Sequence, residues 1–236
     1  NIQLSALPGP FPERDDFEIY GQMHTAKEVG GDFYDYFMID DSHLGFLIAD
    51  VSGKGIPAAL FMMISKSIIK TYSINNSNLA NILYKANNTL CENNESNMFV
   101  TVFMGILDIN TGMFSYASAG HNPPIIKRAS KSYEWLEAKS DCPLAALDDY
   151  EFTVYNTQFN AGDILFLYTD GVTEAVNKRE ELFSPERLIE YLNTLPEHTK
   201  SESIMLLVNH EVEKFAKGAE QADDITMLLF HMKTNE

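Results

Sequence analysis

The chain has 236 residues, 45% of them hydrophobic, and 34 acidic against 17 basic side chains give a formal charge of −17. That charge repels a nucleic-acid backbone and an anionic bilayer, and no apolar run reaches membrane-spanning length, which excludes a nucleic-acid partner and membrane contact by this domain. Two cysteines, Cys91 and Cys142, share no metal or disulfide spacing and are read as reduced residues of a cytoplasmic protein.

Strand signals dominate the first fifty residues: Phe17 to Tyr20 alternates, Asp32 to Ile39 is aromatic-rich, and Leu44 to Ala49 is apolar, with Asp40-Asp41-Ser42 as the turn of an antiparallel hairpin. From Ile56 the period becomes helical, opened by Pro57, and a second helix is expected over Asn78 to Glu92. Strands are expected again at Met98 to Ile109, Gly112 to Ala119, Phe152 to Phe159 and Ile164 to Tyr168. Lys127 to Asp149 is a polar, loop-rich insert; helices follow at Ser184 to Leu195 and Ser201 to Ala216, and a strand at Ile225 to Met232. Hairpins outnumber strand-helix-strand units, which favours an α+β fold of antiparallel sheets flanked by helices. With no repeat and no long Pro/Gly/Ser linker, residues 1–236 read as a single domain.

Aspartates punctuate this order at Gly30-Gly31-Asp32, Asp50-Val51-Ser52-Gly53-Lys54-Gly55, Asp108, Thr169-Asp170-Gly171 and Asp223-Asp224. Taken singly, an aspartate in an Asp-Gly or Asp-Asp pair is a turn or cap residue, the reading that suits Asp40, Asp41, Asp148 and Asp149. Asp50, Asp170 and Asp223 instead sit where long apolar runs meet turns. If those strands share a sheet, their carboxylates converge, and at about 4 Å and an effective dielectric of about 20 each like-charge pair costs on the order of 4 kcal/mol. Hard oxygen ligands under that repulsion argue for divalent cations, magnesium or manganese before zinc.

Other motifs carry less. Gly53-Lys54-Gly55-Ile56-Pro57-Ala58 fits a dinucleotide fingerprint but lacks the acid expected about 20 residues later. His210-Glu211 lacks the second histidine of a zinc-protease helix, and no Gly-x-Ser-x-Gly elbow is present. His121, in Gly120-His121-Asn122-Pro123-Pro124, suits either a general acid or a structural hydrogen-bond partner in a rigid turn. Lys54 suits either a phosphate contact or a solvated turn residue.

Glu28 to Asp35, Ala49 to Gly55 with Ala58-Ala59, Ser118 to Pro124, Tyr168 to Glu174 and Asp223 to Thr226 together resemble the metal-dependent PPM, or type 2C, serine/threonine protein phosphatases, in particular the bacterial SpoIIE/RsbU branch. The resemblance spans nearly the whole chain and implies an α-β-β-α sandwich, two antiparallel sheets covered by helices, with metals at one end. It implies that Asp32, Asp50, the Val51 carbonyl, Asp170 and Asp223 hold two Mn2+ or Mg2+ ions, with Asp32 and Asp50 central to catalysis. Asp224, His121 and Lys54 are expected around that centre or against substrate. The implied reaction is direct hydrolysis of phosphoserine or phosphothreonine by a water activated between the cations. The implied partners are a phosphorylated anti-anti-sigma (STAS) protein in partner-switching signalling and an upstream sensor or linker region, with this chain as a C-terminal output domain and a homodimer left open. The resemblance also implies a control element in Ile56 to Ile74, whose apolar helix could shift Asp50, although the same residues suit a plain core. The competing reading is a catalytically silent docking or sensing module of the same fold.

Overall fold

The computed structural model describes residues 2–9, 13–92 and 94–234. Among the described residues, ten strands form two antiparallel five-stranded sheets. One contains β1 (Phe17–His24), β10 (Ile225–Met232), β9 (Ile164–Tyr168), β6 (Ile125–Lys127) and β7 (Tyr133–Trp135), in that spatial order. The other contains β2 (Phe33–Met38), β3 (His43–Val51), β4 (Val100–Asp108), β5 (Met113–Ala119) and β8 (Tyr155–Gln158). The α1 helix (Ile2–Ala6) opens the chain, α2 (Ile56–Ser73) and α3 (Leu79–Cys91) cover the β2–β8 sheet, and α5 (Pro185–Thr194) and α6 (Ser201–Ala216) cover the other; α4 (Asp170–Thr173) is a single turn.

Side-chain alternation builds the layers. In β3, Leu44, Phe46 and Ile48 point between the sheets, while Leu47, Ala49 and Val51 point at the helices. Both faces are covered, so the strand reads as one apolar run instead of an alternating one. Between the sheets lies an aromatic core in which Phe46 stacks on Phe114 and on Phe230 with centroids 5.3 Å apart in both pairs.

The expected α+β sandwich is the observed fold, with differences at element edges. β1 runs to His24, beyond Tyr20, because its whole length pairs with β10, from Phe17 opposite Met232 to His24 opposite Ile225. The insert expected to be loop contains β7 and begins at the last residue of β6; the two strands pair with each other and join the sheet through β9. Three residues apiece are too few to show a period.

Candidate active site

Four strand ends meet at one end of the sandwich. Phe33 pairs with Ala49, so one step further along the ladder Asp32 faces Asp50 on the side between the sheets. In the opposing sheet Tyr168 pairs with Met227, and just beyond them lie Asp170, first residue of α4, and Asp223-Asp224, leading into β10. The turn after β3 is held by Gly53 and Gly55 at φ 85° and 76°, a region costly for other residues, and Pro57 then starts α2.

Asp32 is 2% exposed, and its Oδ2 accepts a 2.7 Å hydrogen bond from Thr169 Oγ1. The same hydroxyl accepts from the Thr226 backbone N–H, tying Asp32 to the ends of β9 and β10 in the opposing sheet. Burial, then the Asp50 charge, hold the Asp32 carboxyl well above the usual carboxylate range. Burial, followed by Asp170, pushes Asp50 up to about 7. Burial also raises Asp170, followed by Glu174 and Asp223. Asp50 is thus the centre of the group: it acts on Asp32 and feels Asp170, Asp223 and Asp224.

The remaining acids are engaged by protein groups. Asp223 Oδ2 pairs with Lys54 Nζ at 2.7 Å, and that ammonium also donates to the Ala222 carbonyl at 2.7 Å. Asp224 accepts from the backbone N–H groups of Ala26 at 2.9 Å and Gly31 at 2.8 Å, clamping the loop that presents Asp32. That clamp explains the glycines: a Cβ on Gly30 would lie 1.9 Å from Asp224 Oδ2, and one on Gly171 would lie 1.9 Å from the Asp224 carbonyl oxygen. The Val51 carbonyl approaches Gly31 so closely that a Cβ there would lie 2.9 Å away.

Among the described residues no three His, Cys, Asp or Glu side chains form a ready-made metal cage. Asp32 turns to Thr169, Asp223 to Lys54 and Asp224 to loop amides. The donor set still fits a hard divalent cation, because it is all oxygen and because burial and neighbouring carboxylates hold Asp32, Asp50 and Asp170 above the usual carboxylate range, a conflict that positive charge relieves.

His121 stands apart from this arrangement. It is 4% exposed, its Nδ1 lies 2.9 Å from Thr101 Oγ1, and burial pushes its pKa down to about 4, so the imidazole is neutral. Thr101 lies opposite Asp50 in the β3–β4 ladder, which makes His121 a support behind the strand end and unsuited to donating a proton at neutral pH. Asp108 is at the far end of β4 opposite His43, capping the Asn110 and Thr111 amides. Asp35 faces α2, ion-paired with Lys66 and 3.7 Å from Lys70. No sequence signal distinguished Thr169 as the link between the two halves of the site, although its position between an apolar strand and an aspartate is where such a link would sit.

Residues 40–233 match the family described as Stage II sporulation protein E (SpoIIE). Protein IcfG of Synechocystis sp. is 30% identical over 96% of this chain and 40% of its own length. Phosphoserine phosphatase RsbU of Bacillus subtilis is 29% identical over 99% of this chain and 68% of its own length. The chain thus spans well under half of the first relative and about two thirds of the second. Among solved structures, the SiaA PP2C domain of Pseudomonas aeruginosa matches at TM-score 0.80 and 18% identity, over 91% of this chain and 86% of that one. The catalytic domain of the serine/threonine protein phosphatase PstP, in complex with two manganese ions, matches at TM-score 0.65 and 14% identity, over 93% and 99% of the two chains.

Proposed function

Because the chain belongs to the SpoIIE family of PPM-type phosphatases, we propose that it hydrolyses phosphoserine or phosphothreonine in a protein, using two Mn2+ or Mg2+ ions. The observation that carries this reading is the convergence of Asp32, Asp50, Asp170 and Asp223 from four strand ends onto one end of the sandwich. Asp32, Asp50, Asp170, Asp223 and the Val51 carbonyl would hold the ions. Bound there, the cations supply Lewis acidity, which lowers the pKa of a water and offsets charge on the phosphoryl group.

The chain's own residues supply position. Thr169 fixes the Asp32 carboxylate by donating its hydroxyl proton, and Asp224 fixes the loop behind it through two amides. Lys54 holds Asp223 and the Ala222 carbonyl, placing positive charge at the rim where a phosphate would enter. His121 supports the site from behind without moving a proton. Neither of two described serines serves a covalent route: Ser52 Oγ accepts from the Phe99 amide, and in the Ser201–His231–Glu18 cluster both contacts go to the same nitrogen, Nδ1, so no proton relay exists there.

The same reading takes residues 1–236 as one catalytic domain, a phosphorylated STAS-type anti-anti-sigma protein as substrate, a cytoplasmic setting, an upstream regulatory region and an optional homodimer. It is supported by the phosphatase name of the RsbU relative and by the manganese in the PstP structure. Hydrolysis of para-nitrophenyl phosphate with manganese, with chelator, and in Asp32→Asn tests it. Turnover that requires manganese and is lost in the variant supports the enzyme. Absence of turnover, with metal binding retained by calorimetry, favours the docking module.

A further inference from the structure

Beside the carboxylate site lies a cavity of about 360 Å3 between the end of α6, the α4 turn and the loop into β10. It shares Lys54, Gly171 and Asp223 with the site, so whatever occupies it sits next to the phosphate position proposed above. Its wall has two chemistries. Ala175, Val212, Ala216 and Ile225 give an apolar lining, while Glu174, Glu213 and Glu220 add three carboxylates beyond Asp223.

Among the described residues, Lys54 is the sole lysine or arginine in the wall, and it is already paired with Asp223. Of the nearby lysines, Lys214 is drawn to Glu211 at 2.9 Å, and neither it nor Lys217 lines the cavity. The cavity therefore offers an aliphatic passage with surplus negative charge at its edge. That combination matches a side chain with an apolar stem and a cationic head.

We propose that this cavity receives an arginine or lysine side chain of the phosphoprotein, close in sequence to the phosphoserine, and so selects substrates with a basic flank. The inference rests on the phosphatase reading and deepens it from reaction to substrate class. Phosphate occupies the aspartate site, the basic side chain occupies the neighbouring cavity, and the two anchors fix the direction of the peptide. Arginine suits the cavity best, because its planar fork can meet two carboxylates at once.

The test is a set of phosphoserine peptides with arginine placed at each position within four residues of the phosphoserine, compared with alanine at the same position. Phosphate release is followed with the manganese-loaded protein. Fluorescence anisotropy of the labelled peptides gives a readout without turnover. Arginine at one or two positions is expected to raise kcat/KM about tenfold over alanine. In E213Q/E220Q, exposed residues whose replacement spares the core, that ratio is expected to fall toward one. A flat ratio in the unaltered protein, or an undiminished ratio in the variant, would overturn the assignment. Para-nitrophenyl phosphate separates the two levels: if it turns over while peptides show no arginine preference, the cavity assignment alone fails. If neither turns over, both readings fall.

Discussion

Two carboxyl groups that face each other across adjacent strand ends cannot both be ionised cheaply, and Asp32 and Asp50 show it. Burial, then the carboxylates around it, raise Asp50 from 3.8 to about 7, so between roughly pH 4 and 7 the folded metal-free protein keeps a proton that the unfolded chain has released. A raised carboxylate pKa favours folding at low pH, and the benefit is lost as pH rises through the folded value. His121, depressed from 6.5 to about 4, acts in the opposite direction over an overlapping window, so a total stability curve would mix the two. The difference between Asp50→Asn and wild type removes His121 from the comparison and reads Asp50 together with the Asp32 carboxyl that its charge shifts. In chelator, urea unfolding should show the variant gaining on wild type as pH rises from 4 to 7, by at most about 1.4 kcal/mol per pH unit. A difference independent of pH would contradict the crowding. Gly171→Ala acts on packing instead: its Cβ meets the Asp224 carbonyl oxygen at 1.9 Å, which should cost on the order of 1–3 kcal/mol in thermal or urea unfolding. Asp50, Asp170 and Asp223 were legible because each sits where an apolar run meets a turn, and Asp32 through the family resemblance, whereas the Thr169 bond to Asp32 joins residues 137 positions apart and leaves no local pattern.

At the scale of elements, α2 is joined to β2 by a buried ion pair as well as by apolar packing. Asp35 is wholly buried, Lys66 is 8% exposed, and Lys70 lies 3.7 Å from the same carboxylate. Removing Lys66 leaves Asp35 with only the longer contact to the half-exposed Lys70, which costs more than replacing both buried members with shape-matched neutral groups. Lys66→Ala should therefore cost roughly 3 kcal/mol, and D35N/K66M should recover most of it, both read from urea midpoints. Equal losses in the single and double variants would mean that helix packing, not charge, dominates. Periodicity found α2 and its Pro57 start, but it did not mark Lys66 as buried, since lysine on a helix is ordinarily solvated. The start of the insert shows the complementary failure: β6 pairs with β9 and β7 with β6, a tertiary cause that three-residue segments cannot encode locally.

At the scale of the whole molecule, the sandwich places one pair of acids from each sheet at the same end, and the net charge of −17 adds a diffuse attraction for any cation. A stability gain on adding manganese could thus arise from the site or from the general surface, and the fold provides a way to tell them apart. Ligand that binds only the folded state stabilises by mass action, about 2.7 kcal/mol at a hundredfold excess over Kd. If the convergent aspartates hold the metal, Asp32→Asn removes that gain, whereas Asp108→Asn, at the far end of β4 and equal in charge change, retains it. Thermal unfolding with chelator and with manganese, at fixed ionic strength, reads the difference directly. Diffuse binding follows net charge, so it predicts the same gain in both variants; a site predicts loss in one of them. The far-end control is available only because antiparallel pairing puts the start of β2 and the end of β3 at one pole and the β4–β5 turn at the other.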